Sequence, residues 1–443
     1  MFFSDTARHK QLFVLAIPMI LSNITVPLLG MVDTAVIGHL DHAYYLGGST
    51  VGAMIITCIT WLCGFLRMTT TGLAAQAFGQ KDAHQNLLVL IRGLMVAFLI
   101  GGFFILLQSP YIHGALYLSG GSEQVQFYAK QYSEIRVWGL PAALANLVLL
   151  GWLLGNHKAK AVMWILIFTN LVNLTLDIIF VLWLDWQVKG VAYATLIAEY
   201  SSVLLSFSVI TYQFKGVIKT SIAEIRIKIF NKIALTSYFK LNRDILIRTL
   251  CLQSCFVFIT FQGARLGDNV VAANAILMNF LLFISFGLDG IANAAEVMVG
   301  KAKGEKNFKQ FKEVFKVSLF WTVMFALAYT LFFVVTGPFV VRLISDIEAV
   351  VHYADQYLPW IMILPLVACW SYLFDGIYIG LTQAKAMRNS MVLSTFGCFF
   401  PVWWILQNYE NNGLWLAFSI FMIARGVTLA WHFKQKIWSK GFT

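Results

Sequence analysis

Charge is what this 443-residue sequence most lacks: Asp, Glu, Lys and Arg together make up only 12% of it, about half the share of a soluble globular domain. With 59% hydrophobic residues and a mean hydropathy of +0.74, the chain cannot cover itself with a water-compatible surface. A soluble enzyme or binding module is therefore excluded and a bilayer is implied. Histidine is scarce as well. The eight in the chain, among them His39, His42, His84, His113 and His157, fall in connections or near helix ends, so a buried metal catalytic centre has no support and none is expected. Six cysteines lie inside apolar runs, which indicates neither a disulfide framework nor a zinc site. No small-residue cleavage site interrupts the first apolar run before Gly38. That run reads as an uncleaved spanning helix.

What is abundant is apolar sequence in lengths that match the hydrocarbon thickness, about 20 residues per helix. Twelve such runs lie near 12–37, 46–71, 87–107, 132–155, 161–184, 190–212, 245–263, 269–297, 317–340, 357–381, 391–408 and 413–433. The expected fold is an all-α polytopic membrane protein of twelve transmembrane helices. Residues 1–212 form an N-terminal lobe, 213–244 a basic cytoplasmic linker and 245–443 a C-terminal lobe. On the side of the termini and the linker the loops hold 23 Lys and Arg; the opposite loops and helix ends hold five, Lys130, Arg136, Lys189, Arg265 and Arg342. By the positive-inside rule both termini and the linker are cytoplasmic. The net charge of +11 thus reports orientation and contact with anionic lipid, and no nucleic-acid partner is expected.

The two halves repeat. Ala77-Phe78-Gly79-Gln80-Lys81-Asp82 matches Ala302-Lys303-Gly304-Glu305-Lys306-Asn307 at an offset of 225 residues, and Gly151 and Gly155 followed by Ala159-Lys160 match Gly376 and Gly380 followed by Ala384-Lys385 at the same offset. Two separated matches at one offset indicate six helices used twice. Six is even, so both copies enter from the same side and are parallel repeats related by a pseudo-two-fold axis along the membrane normal. The Gly-x-x-x-Gly pairs are best explained by close helix packing.

Six acids lie inside spans: Asp33, Asp177, Glu199, Asp289, Glu296 and Asp375. An aspartate at a helix centre costs about 2.5–3.5 kcal/mol on insertion scales, so each needs a partner, a proton or a water-lined role. Asp33, Asp177 and Thr195 fall in the outer half of their spans. Asn170, Asn173 and Asp177 share one face of the fifth helix by their i, i+3, i+7 spacing, and Thr195 and Glu199 share a face of the sixth. Burial favours the neutral carboxyl and a second carboxylate nearby favours it further, which suits proton uptake by Asp33 and Asp177. The same oxygens, with Asn173 and Thr195, would also suit a sodium ion, and the residues alone leave that choice open. The inner-half acids Asp289, Glu296 and Asp375 are expected to be paired structurally, with Arg67 or Arg92 able to neutralise one of them, or to snorkel to the interface. Pro18 and Pro27 weaken the first helix, the former 15 residues before Asp33.

The run Leu15-Ala16-Ile17-Pro18 to Met31-Val32-Asp33-Thr34-Ala35-Val36-Ile37-Gly38-His39-Leu40, with Thr71-Gly72-Leu73-Ala74-Ala75-Gln76-Ala77-Phe78-Gly79, resembles the multidrug and toxic compound extrusion (MATE) family. Leu149-Leu150-Gly151-Trp152-Leu153-Leu154-Gly155 and Met387-Arg388-Asn389-Ser390 extend the likeness over nearly the whole chain and point to the DNA-damage-inducible F branch. The resemblance implies a twelve-helix secondary active antiporter, not an enzyme, that expels small amphipathic, often cationic compounds in exchange for protons or sodium. It needs no cofactor beyond that ion, acts as a monomer among membrane lipids and sits in a bacterial inner membrane. Asp33 would be the central coupling residue, helped by Asn173, Asp177 and Thr195, and Pro18 the bending proline. The other bacterial branch pairs a seventh-helix glutamate with a tenth-helix aspartate. Residues 245–263 contain no acid, so a site of that type around Asp375 is not expected.

The mechanism that follows is alternating access: protonation from outside neutralises Asp33 and Asp177, the first helix bends at Pro18, and drug leaves. A flippase for lipid-linked saccharides is the rival transport function, and twelve spans argue against it. An intramembrane enzyme would need a nucleophile and base at one depth, a constellation the sequence does not offer.

Overall fold

A computed structural model describes the backbone of residues 6–38 and 42–441, and the side chains of these except at 6, 26–35, 38, 43 and 216–227. Among the described residues every regular element is helical, as the bilayer demands, since only a helix satisfies its own backbone donors and acceptors in hydrocarbon. The first half contains α1 (Thr6–Gly38), α2 (Ala43–Leu62), α3 (Phe65–Gln80), α4 (Ala83–Leu106), α5 (Gln108–Ser119), α6 (Glu123–Arg136), α7 (Leu140–Gly155), α8 (Ala159–Asp177) and α9 (Gln187–Lys228). The second contains α10 (Lys232–Arg265), α11 (Asp268–Gly304), α12 (Phe308–Ile344), α13 (Glu348–Gly380), α14 (Ala384–Val392), α15 (Phe400–Leu406) and α16 (Glu410–His432). Ten described segments are long and apolar enough to cross a membrane; one of them, Ala384–Trp438, is 55 residues long and contains the last two expected spans. With α1, the count agrees with twelve.

The chain divides into two compact units, Leu21–Tyr238 and a second made of Met1–Ile20 with Phe239–Thr443. By packing, the start of α1 belongs with the C-terminal helices: Arg8 pairs with Glu313 at 3.2 Å, and His9 Nδ1 accepts from Trp321 Nε1 at 2.9 Å. The stretch expected as a linker is itself largely helical. α9 runs on to Lys228 through a kink at Phe214, and α10 begins at Lys232.

The sequence repeat has a structural counterpart at the same offset. A Cβ on Gly151 would come within 2.8 Å of the Arg67 carbonyl oxygen, and one on Gly155 within 2.7 Å of the Thr71 oxygen. In the other unit, Gly376 and Gly380 abut the carbonyl oxygens of Ala292 and Glu296, which are Arg67 and Thr71 displaced by 225. The turns repeat too. Lys81 and Lys306 both adopt a left-handed backbone, φ 57° and 53°. The next residues cap the following helices: Asp82 Oδ1 accepts from Gln85 N at 2.9 Å, and Asn307 Oδ1 from Gln310 N at 3.0 Å, each satisfying an otherwise orphaned donor. Glycine lets backbones touch, as membrane helix packing requires in the absence of a hydrophobic driving force between helices.

Candidate functional site

In the N-terminal unit, the polar residues on α8 and α9 meet. Asn173 and Asp177 are fully buried, one turn apart on α8. Asn173 Nδ2 donates to Thr195 Oγ1 at 3.2 Å, while the Thr195 hydroxyl donates back to Val191 O at 3.0 Å. A π-helical stretch, Ile178–Trp183, starts directly after Asp177; such wide turns recur at functional positions. Asn170, on the same face, donates to Thr25 O of α1 at 3.3 Å, so the fifth-span face reaches the second half of the first helix. The side chains of Asp33 and Pro27 lie outside the described residues. Pro18 is buried within α1.

Glu199 is one turn further along α9 and has a different partner. Arg136 at the end of α6 grips it with two parallel bonds, 2.7 and 2.8 Å, while Asn146 Nδ2 donates to the Glu199 carbonyl at 3.0 Å. This bidentate geometry is strong and directional. Gly139 makes room for it, since a Cβ there would lie 2.6 Å from Glu199 Oε2 and 2.7 Å from an Arg136 nitrogen. Charge census alone places Arg136 with the outer helix ends; the structure buries it.

The C-terminal unit contains a second charged centre. One oxygen of Asp375 on α13, Oδ2, accepts from Arg248 of α10 and from Arg425 of α16, the latter at 2.7 Å. Beside it, the hydroxyls of Ser285 on α11 and Tyr372 on α13 are 2.5 Å apart. The partners of Asp375 are thus not those suggested by depth. Arg92 instead donates to the backbone oxygens of Lys228 and Ile229 at 2.7 and 3.2 Å, closing the end of α9. Arg248 and Arg425 are legible as candidates in the sequence, because an arginine inside an apolar run needs a counter-charge.

Helical repeats that enclose charges inside apolar spans define a polytopic membrane protein built on the plan of parallel-repeat transporters. The chain belongs to the MatE family, whose model matches residues 18–179 and 245–405, one copy per half. It is 42% identical over 437 residues to DNA damage-inducible protein F of Escherichia coli (strain K12), covering 98% of this chain and 94% of that one. It is 24% identical to the probable multidrug resistance protein NorM of Acinetobacter baylyi, covering 92% of this chain and 91% of that protein. Among solved structures, a MATE transporter in a bent conformation superimposes with a TM-score of 0.84 at 19% identity, covering 96% and 94% of the two chains. A MOP superfamily transporter from Pyrococcus furiosus superimposes with a TM-score of 0.83 at 18% identity, covering 96% and 95%. The protein is therefore a multi-pass membrane transporter of the MATE type, and its relatives include multidrug resistance proteins.

Proposed function

We propose that the chain is a secondary active antiporter that expels small amphipathic, often cationic compounds from a bacterial cytoplasm, driven by inward proton flow through Asp33 and Asp177. The observation that carries this reading is the fully buried Asp177 beside the Asn173–Thr195 hydrogen bond: a carboxyl removed from water changes its charge only by exchanging a cation with the solvent on one side or the other. Protonation from outside neutralises the pair, the first helix bends at Pro18, and substrate is released; loss of the protons to the cytoplasm resets the site. Pro18 supports a hinge in α1, since proline removes a backbone hydrogen bond. The basic termini and 213–244 segment favour cytoplasmic ends, and the protein works as a monomer among lipids. One charge crossing 100 mV supplies about 2.3 kcal/mol, roughly a fiftyfold gradient.

Sodium at Asp33, Asn173, Asp177 and Thr195 is the alternative coupling ion, and lipid-linked saccharide flipping the alternative cargo. The test is efflux of rhodamine 123 from proteoliposomes under an imposed proton or sodium gradient, for wild type, Asp33→Asn and Asp177→Asn. Proton-driven efflux lost in both variants is the expected result. Efflux driven only by sodium replaces the coupling ion, and native proton-driven rates in either variant eliminate the switch.

A further inference from the structure

Two cavities between α6 and the start of α9 run into each other. One measures about 770 Å³ and the other about 680 Å³, each within the range of about 300–1,000 Å³ that ligand sites occupy. They share Phe127, Gln131, Lys189 and Tyr193, so they form one groove, and all of it belongs to the N-terminal unit. The turn from α8 into α9 builds one end. Trp186 N donates to Phe180 O at 2.9 Å, the two rings stack with centroids 5.0 Å apart, and Tyr193 meets Trp186 edge-on at 6.0 Å. On either side of Trp186, Asp185 and Gln187 adopt a left-handed backbone, φ 53° and 50°, uncommon for residues with a side chain. Both line the groove.

The charges in this groove cancel in number but not in place. Lys130 and Glu134 face each other at 3.8 Å. Asp185 and Lys189 make no ion pair among the described residues, and the amides of Gln131 and Gln187 make no hydrogen bond there. A lone anion would meet Asp185 and a lone cation Lys189, so the groove is complementary to a group that carries both signs. Trp138, Trp183 and Trp186 are all exposed around it, as in the aromatic belt at the level of lipid headgroups. The other end is apolar, with Ile135, Trp138 and Leu196 in its wall. It continues into a stripe of α9, Tyr193, Ile197, Tyr200 and Leu204, whose i, i+4, i+7, i+11 spacing keeps one face exposed. On a helix long and apolar enough to span, an exposed apolar stripe faces acyl chains.

We propose that the α6–α9 groove binds a zwitterionic glycerophospholipid with a primary ammonium headgroup. Its phosphate takes hydrogen bonds from the Lys189 ammonium and the Gln131 amide. Its own ammonium donates to Asp185 beside the Trp186 and Tyr193 rings, whose faces attract a cation. One acyl chain runs along the α9 stripe. A primary ammonium carries hydrogen-bond donors for the Asp185 carboxylate, which a trimethylated one lacks. The site is independent of the coupling residues and of the transport reading.

The test is native mass spectrometry of the delipidated full-length protein in detergent, titrated with dioleoyl phosphatidylethanolamine, phosphatidylcholine or phosphatidylglycerol. The expected result is one saturably bound phosphatidylethanolamine, held about tenfold more tightly than either other lipid, as loss of one charge-assisted hydrogen bond predicts. Asp185→Asn and Lys189→Gln each remove most of that preference, while Lys130→Gln, whose lysine faces Glu134, changes it by less than about twofold. Equal binding of the three lipids by the wild type overturns the proposal, and that comparison stands even if the variants misfold. Phosphatidylethanolamine affinity unchanged in both Asp185→Asn and Lys189→Gln also overturns it. Free phosphoethanolamine binding as tightly as the lipid shows that the acyl chain takes no part, and one-for-one displacement of the lipid by rhodamine 123 makes the groove a cargo site; either result refutes the lipid assignment.

Discussion

Replacing Gly376 by alanine tests the packing on which both repeats depend. In a helix exposed to its surroundings this change is favourable, by about 1 kcal/mol from propensity. Here the added Cβ would run into the carbonyl oxygen of Ala292 and lie 2.8 Å from its carbonyl carbon. The obstacle is the backbone of α11, which cannot rotate aside as a side chain can, so one helix must move off the other. Overpacking costs about 1–3 kcal/mol, and a main-chain obstacle places this case at the upper end. Subtracting the propensity gain leaves a net loss of about 2 kcal/mol, or roughly thirtyfold in the ratio of folded to unfolded protein. Unfolding by dodecyl sulfate in mixed micelles, followed by tryptophan fluorescence, measures it. Gly151→Ala, whose nearest obstacle is the Arg67 oxygen at 2.8 Å, is expected to lose less. Gly102→Ala, with nothing within 4 Å of the new methyl, is expected to be neutral or slightly stabilising. The reasoning is refuted if Gly376→Ala unfolds at the wild-type midpoint, or if Gly102→Ala loses as much.

Three further perturbations probe the buried polar groups and the caps. Glu199→Gln strands the Arg136 guanidinium and is expected to cost about 3–5 kcal/mol, with most of the loss recovered in the double variant Arg136→Met/Glu199→Gln; a single variant as stable as wild type in the same unfolding assay contradicts the pairing. Asn274 exchanges two amide bonds with Asn411, at 2.8 and 2.9 Å, and accepts from Trp415 Nε1 at 2.9 Å. Asn274→Leu therefore leaves buried donors unsatisfied at about 1–3 kcal/mol each, to be read as a lowered thermal midpoint; an unchanged midpoint shows that these bonds contribute nothing. Asp82→Ala removes the cap on α4 and is expected to cost about 1 kcal/mol, whereas Asp82→Asn, which keeps an acceptor, retains stability. Equal losses in the two caps argue for charge rather than capping.

Much of the architecture is readable from the sequence. Scarcity of charge and the length of the apolar runs dictate spanning helices, because hydrocarbon offers the backbone no other partner. The 225-residue offset between Gly151 and Gly376 anticipates that each meets an equivalent carbonyl, Arg67 or Ala292, since glycines kept at such spacing mark places where two backbones touch. The i, i+3, i+7 spacing likewise puts Asn170, Asn173 and Asp177 on one face of α8, and the hydrogen bond to Thr195 brings the α9 face beside it. Other features were hidden. The helical path of the 213–244 stretch is invisible to a search for apolar runs because its residues are polar, and the short α5 was hidden among connections because only Ile112 and Leu116 of its residues are buried.

What only the tertiary structure decided is which charge meets which. The partners of Asp375 are 127 and 50 residues away, and that of Glu199 is 63 residues away. Hydropathy places a residue at a depth along the membrane normal, since depth is set by the length of apolar chain around it. It says nothing of the direction in which the side chain leaves its helix, because that is set by how neighbouring helices rotate to pack. Acids on neighbouring spans can therefore face different partners. Glu199 ends in the grip of Arg136 while Asp177, on the preceding helix, lies buried beside the Asn173–Thr195 bond.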